Sequence, residues 1–326
     1  TVDFHLWQRW RWWLLGAAII GLVLCYVPGI GIRTNGASRW LGVPFMERSP
    51  IQIQPSEFAK IALIIAMAGW FSSHESFART FVKGFVVPAL ILGSVVGLIG
   101  AEVDLGNAFI AAFVGAGLMF IGGTRIWYLG VIGVTSAAAL VTGILYAPNR
   151  LERVIVLFDL EKHKAGLGLQ QWVAWLAFGS GGLEGRGLGE GRMKLSYMPE
   201  AHTDFIFPMI GEELGLMGTL TTLLMFTLLL VAGMCIAAYA PTRFGKLLGA
   251  GLTLLLSLEA FLNMGVTTAL LPNKGLPLPF VSYGGSSLLA AMLAIGILIN
   301  IHRQGVHLTR DQLPIIRKKV RYTPSL

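Results

Sequence analysis

The sequence is 326 residues long, 55% hydrophobic and only 13% charged, with a mean hydropathy of +0.69. Such a composition excludes an ordinary soluble domain and points to a polytopic membrane protein. The formal charge of +8 lies in loops between apolar runs, so it predicts anionic lipid headgroups as neighbours and no nucleic acid.

A bilayer core takes about 20 apolar residues per helix. Eight stretches meet that need, which predicts an all-α polytopic bundle: one membrane domain over 1–326, with a long loop between the fifth and sixth helices. Cys25 and Cys235 fall inside apolar runs and suggest neither a disulfide framework nor a metal site.

At the start, His5-Leu-Trp-Gln-Arg-Trp-Arg-Trp-Trp13 precedes the apolar run Leu14–Val27. An aromatic belt with arginines predicts a cytoplasmic N-terminus. A polar loop contains Arg33-Thr-Asn-Gly-Ala-Ser-Arg-Trp40 and ends in Gln54-Pro-Ser-Glu-Phe-Ala-Lys60, where Pro55 followed by Glu57 marks a helix start. That second helix runs to about Trp70, and His74–Lys83 is an inner loop. The third helix is expected near Phe85–Gly100, an outer turn holds Glu102 and Asp104, and the fourth and fifth follow near Asn107–Gly122 and Trp127–Tyr146.

Residues 147–204 form the long loop, predicted on the extracytoplasmic side. Within it Leu151–Phe158 and Gln170–Phe178 are amphipathic and should lie along the interface. Gly179–Gly191 alternates glycine with Leu, Glu and Arg. The sixth helix is expected from Phe205 to Tyr239, longer than one span, so Glu212 and Glu213 should stand at or above the outer surface as partners for outer arginines. The seventh helix is near Leu247–Leu270, an outer loop Leu271–Tyr283 carries Lys274, the eighth is near Gly284–Ile301, and 302–326 is a basic cytoplasmic tail. This topology puts 13 Lys and Arg inside and 12 outside. So many outer bases predict an anionic ligand on that face.

No segment has the spacing of a soluble phosphate-binding loop, and no His pair has metal-ligand spacing on a helix. Chemistry concentrates instead in Tyr197-Met-Pro-Glu-Ala-His-Thr-Asp-Phe-Ile-Phe207. Asp204 falls at a helix N-terminus, which stabilises a carboxylate; a plain helix cap is an equal reading. His202 reads as a loop residue before a second base, and Glu200 as an organiser. Glu259 is the only acidic residue well inside a span, a candidate either for function or for packing through a hydrogen bond to Asn263 one turn on. Arg33, Arg39, Arg150, Arg153, Arg192, Lys194 and Lys274 together could clamp a diphosphate.

Four stretches then resemble one family. Pro199-Glu-Ala-His-Thr-Asp-Phe-Ile-Phe207 with Gly211-Glu-Glu-Leu-Gly215, Gln54-Pro-Ser-Glu57 with Lys60, Asn35-Gly-Ala37 with Arg39-Trp40, and Pro272-Asn-Lys-Gly-Leu-Pro-Leu-Pro-Phe-Val-Ser-Tyr-Gly-Gly-Ser-Ser287 are similar to the SEDS family (shape, elongation, division and sporulation), in the right order over nearly the whole chain. Lys274 resembles the division branch. The resemblance implies a peptidoglycan glycosyltransferase that polymerises lipid II outside the bacterial cytoplasmic membrane and releases undecaprenyl diphosphate. It also implies a class B penicillin-binding protein (transpeptidase) and other division-complex membrane proteins as partners. The first helix here resembles the family's third, so the first two are expected to be absent from this chain.

By the family pattern Asp204 matches the catalytic carboxylate. Arg39, Arg150, Arg153, Gln170, Arg192, Lys194, Glu200, His202, Lys274 and Ser282 are expected to bind substrate, with room for a divalent cation, Mg or Mn, as the one cofactor. Departures are Val103 for a usual proline, Leu169 and Ala174 for a Tyr and a Ser around Gln170, Ala269 for a usual glycine, and Glu259 for a common Gln. The expected chemistry is an inverting transfer with Asp204 as general base. A lipid-linked precursor transporter (flippase) built on Glu259, and a non-catalytic division scaffold, are the alternatives.

Overall fold

Pro55 has no backbone N–H to leave unpaired, and a helix begins at it. In the computed structural model the apolar runs fold as helices, several of whose ends fall at polar, proline or glycine positions. The structure describes residues 3–34, 37–42, 52–146, 148–164, 166–193 and 202–320, leaving aside the side chains of 33–34, 37, 139–140, 143–145, 148–150 and 307–320.

α1 spans Phe4–Leu24, so the Trp- and Arg-rich flank is already helical, and Asp3 caps it by accepting from the His5 N–H. α2 (Pro55–Ser73) carries Pro55 and Glu57 in its first turn and is buried almost throughout. It packs against α1, α3 (Val87–Ala101) and α4 (Leu105–Gly122), and against α9 (Arg243–Thr267) and α10 (Gly285–Val320). These elements share the main hydrophobic core. α5 covers Ile126–Leu145, α6 Pro148–Phe158, α7 Leu169–Gly181 and α8 Ile206–Ala238.

Among the described residues five helical stretches are long and apolar enough to cross a membrane: Val82–Ala101, Leu105–Gly122, Ile206–Ala238, Arg243–Thr267 and Gly285–Val306. The eight expected spans include α1, α2 and α5, which lie outside that set.

Three features differ from the expected pattern. The first polar loop contains a hairpin, β1 (Gly31–Thr34) antiparallel to β2 (Ala37–Leu41), with Gly31 opposite Leu41. Leu41 then exchanges two backbone bonds with Ile53, which leads the chain into α2. Secondly, α7 does more than lie along an interface: Val173, Ala174 and Ala177 are buried with Phe205 and Met209 at the start of α8. Thirdly, α8 is broken at Gly215 (φ 64°, ψ −160°), a conformation essentially reserved for glycine.

Backbone groups at that break pair with the glycine-rich loop. The Leu216 and Met217 N–H groups donate to the Gly182 and Leu183 carbonyls at 2.9 and 3.3 Å, while Arg186 and Gly187 N–H donate to Glu212 and Glu213 carbonyls at 3.0 Å each. The Glu212 carboxylate accepts from the Arg192 N–H (2.8 Å) and the Met193 N–H (3.1 Å), and Glu213 accepts from the Gly189 N–H (2.9 Å). Both glutamates therefore take backbone amides of the loop as partners, that of Arg192 among them.

Candidate active site

Asp204 stands one residue before the N-cap position of α8, which Phe205 occupies without a side-chain cap. Its carboxylate lies on the backbone of Gly275, so closely that a Cβ there would collide with Oδ2. Lys274, the residue before, lays its side chain over Gly106 at the start of α4, where a Cβ would meet the Lys274 Cε at 3.0 Å. Two glycines thus let an acid-bearing turn and a lysine-bearing loop nest at one end of the bundle.

The turn itself is pinned carbonyl by carbonyl. His202 O accepts from the Tyr283 N–H at 2.9 Å, Thr203 O from the Ser282 hydroxyl at 2.5 Å, and Asp204 O from Asn263 Nδ2 at 2.8 Å. Ser282 Oγ also accepts from the Leu278 N–H at 2.7 Å, which closes the 278–282 turn over it.

From the other side, α6 and α7 hold the 271–273 segment. Arg153 Nη1 donates to Asn273 O at 3.3 Å, Asn273 Nδ2 donates to Gln170 Oε1 at 2.8 Å, and the buried Gln171 donates to the Val266 and Leu271 carbonyls. The structure therefore brings Asp204, His202, Lys274 and Ser282 together, with Arg153 and Gln170 behind Asn273. Arg192 enters through its backbone N–H on Glu212, its side chain exposed. Lys194, Glu200 and the side chains of Arg33 and Arg150 lie outside the described residues. Sequence reading missed Asn263 and Gly275 as site-forming residues; the signals were a polar amide inside an apolar helix and a glycine between Lys274 and Leu276.

Arg39 takes a different post. Its Nη2 donates to Val103 O at 2.8 Å in the turn between α3 and α4. That turn closes α3 with Val103 N–H on Gly100 O and Asp104 N–H on Ile99 O, and it forces Val103 to φ 63°. A proline, with φ fixed near −65°, could not stand there. Burial, and then the neighbouring Asp104 carboxylate, push the Glu102 carboxyl in this turn up to about 8.

Beneath the site lies a buried ionic cluster. Lys60 Nζ donates to Glu57 (3.0 and 3.1 Å), Asn107 Oδ1 (2.7 Å) and Glu259 Oε1 (2.5 Å), with Lys60 and Glu57 each 2% exposed. Glu259 thus pairs with Lys60 on α2, and Asn263, its expected partner, turns to Asp204 and Leu276 instead. Asn107 passes the network to Asp104, which also accepts from Gln54 Nε2 at 3.2 Å. Among the described residues no group of three or more His, Cys, Asp or Glu could hold a metal ion.

A family model described as a cell cycle protein, FtsW/RodA/SpoVE, matches residues 1–307. The chain belongs to the FtsW/RodA/SpoVE family.

As a member of that family it is 42% identical over 300 residues to a protein of Trichlorobacter lovleyi named "Probable peptidoglycan glycosyltransferase FtsW", covering 92% of this chain and 77% of that one. It is 36% identical over 303 residues to the stage V sporulation protein E of Bacillus subtilis, covering 93% and 81%. A solved chain from work on structural coordination of polymerization and crosslinking by a peptidoglycan synthase complex superposes with a TM-score of 0.76 at 28% identity, covering 94% of this chain and 84% of that one. The crystal structure of the Thermus thermophilus rod shape determining protein RodA gives a TM-score of 0.66 at 28% identity, over 93% and 80%. This chain is thus a predominantly helical membrane bundle whose fold resembles those solved structures.

Proposed function

We propose that this chain is a peptidoglycan glycosyltransferase that polymerises lipid II at the extracytoplasmic face of the cytoplasmic membrane, with Asp204 as its general base. The observation that carries the reading is the Asp204 carboxylate, pressed onto Gly275 in a pinned turn beside Lys274. A base must be held within hydrogen-bond reach of the proton it takes, and such help contributes about 10²–10⁴ in rate.

In the reaction, the acceptor's GlcNAc 4-hydroxyl attacks the anomeric carbon of the lipid-linked donor. Its proton passes to Asp204, the new glycosidic bond forms with inversion, and the bond to undecaprenyl diphosphate breaks with its electron pair on the leaving oxygen. Lys274, Arg153 and the other bases at this end supply positive charge as the diphosphate departs. A divalent cation, Mg or Mn, would supply further positive charge to the departing diphosphate, and the basic segment 302–326 would lie on the cytoplasmic side, its 302–320 part continuing α10 as helix. A class B penicillin-binding protein is the fitting partner, since the neighbour with the TM-score of 0.76 comes from a synthase complex that couples polymerization to crosslinking.

A transport path would need Glu259 as an intramembrane carboxylate open to cargo, yet Lys60 closes it in at 5% exposure. Purified protein in detergent, where there is no bilayer to cross, is expected to convert lipid II to glycan polymer. Absence of polymer under conditions that let the same preparation move lipid II across vesicles would reverse the assignment.

A further inference from the structure

Three consecutive carbonyls, of His202, Thr203 and Asp204, each receive a donor from outside their own segment. The donors to His202 and Thr203, Tyr283 N–H and the Ser282 hydroxyl, belong to the loop on which the carboxylate rests, whereas the donor to Asp204 comes from α9 and ties that loop to the acid-bearing turn. Asn263 Nδ2 donates to Asp204 O at 2.8 Å and to Leu276 O at 2.6 Å, so one buried NH₂ spends both its hydrogens on the two walls of the site. Leu276 adjoins Gly275, against which Asp204 Oδ2 lies.

The amide is there for its donors. Asn263 is 1% exposed, and its Oδ1 is buried without a partner among the described residues. An unpaired buried acceptor costs about 1–3 kcal/mol, so packing alone would be served better by an apolar side chain. Flipping the amide would set Oδ1 against two carbonyl oxygens, which fixes its orientation. No other side chain of similar length fits: Asp lacks the donors, Ser offers one, and Leu offers none. One turn earlier on α9, Glu259 is bonded to Lys60 on α2, so the strap hangs from a helix that is itself anchored to the bundle.

We propose that Asn263 is the positioning residue for Asp204: by bridging Asp204 O and Leu276 O it sets where the carboxylate meets the acceptor hydroxyl, and Gly275 leaves the space for it. The inference rests on the reading of Asp204 as base. It predicts that Asn263 acts on turnover through Asp204 and has little effect on substrate affinity, because misplacing a catalytic group by about 1 Å costs on the order of 10²-fold.

The test is a mutant cycle on purified full-length chain, measuring initial rates of lipid II polymerisation per folded molecule. Asn263→Leu is expected to lower kcat at least tenfold with KM within threefold of the parent. In an Asp204→Asn background, where the base is already gone, the same change should cost less than a further twofold. A residue that serves the fold alone would cost the same factor in both backgrounds, and that result overturns the proposal, as does a parental kcat. Should Asn263→Leu fail to fold, Gly275→Ala carries the same cycle, since its Cβ displaces the Asp204 carboxylate and leaves α9 untouched. The two failures read differently. Full activity of Asp204→Asn removes the base assignment and this inference with it, whereas an inactive Asp204→Asn beside a fully active Asn263→Leu removes only the inference.

Discussion

Replacing Lys60 by Met removes the ammonium that serves two buried carboxylates. Lys60 Nζ reaches both oxygens of Glu57, Oε1 of Glu259 and Oδ1 of Asn107, and every one of these groups is buried. Breaking a buried pair by deleting one partner costs about 3–5 kcal/mol, because the remaining charge is left uncompensated. At about 2 °C per kcal/mol for a large domain, the apparent Tm should fall by ~6–10 °C. The charge count makes a second, signed statement. Two carboxylates share one ammonium, so Glu259→Gln alone leaves a matched Lys60–Glu57 pair and should hold or raise the Tm. The triple variant Lys60→Met/Glu57→Gln/Glu259→Gln carries no charge in this place and should recover most of the loss, since well-packed neutral replacements of buried ion sets are often neutral or stabilising. Cys25 is buried and Cys235 is exposed, so a thiol-reactive dye in a Cys235→Ser background reports unfolding in detergent. A Lys60→Met protein melting within 2 °C of its parent, or a triple variant melting as low as the single one, would refute the reasoning.

Three further outcomes follow from strained or buried positions. Ala269 sits at φ 57° just past α9, where the Leu270 N–H bonds Gly265 O (2.9 Å) and the Ala269 N–H bonds Val266 O (3.1 Å) in the turn that glycine favours; Ala269→Gly should therefore stabilise by about 1 kcal/mol in the same melting assay. Gly215→Ala, whose Cβ would strike the Leu183 carbonyl and the Gly185 amide, should lower the Tm clearly and increase proteolysis in the 182–187 loop. Because the Glu102 carboxyl is raised from 4.5 to about 8 by burial, its contribution to stability is complete below pH 4.5 and is lost as pH rises through about 8. The parent Tm should fall across that window, and Glu102→Gln should flatten the slope.

What the sequence made legible was local. Runs of apolar residues located most helices to within a few positions, although α1 starts ten residues before its apolar run and α10 continues to Val320, nineteen beyond Ile301; Pro55 and Glu57 marked the start of α2, and Asp204 could be placed at a helix start because a charged stretch ends there. What escaped depends on partners far along the chain. Glu259 meets Lys60 across 199 positions and Asn263 meets Asp204 across 59, and no periodicity links such pairs. The break at Gly215 is equally hidden: the helical pattern continues through it, and only the glycine loop at 182–187 takes up the freed backbone groups. The hairpin at 31–41 had a visible signal, Asn35-Gly36 between Thr34 and Ala37, a dipeptide suited to a tight turn. It was overshadowed by the charge of the surrounding loop.

The most direct measurement is the rate of glycan polymerisation from lipid II by Asp204→Asn, compared with the parent at equal folded concentration. The amide keeps the size of the carboxylate and cannot accept the proton, so the rate should fall by about 10²–10⁴ while the melting temperature stays within a few degrees. A folded Asp204→Asn protein that polymerises lipid II at the parental rate would contradict the assignment of Asp204 as the base.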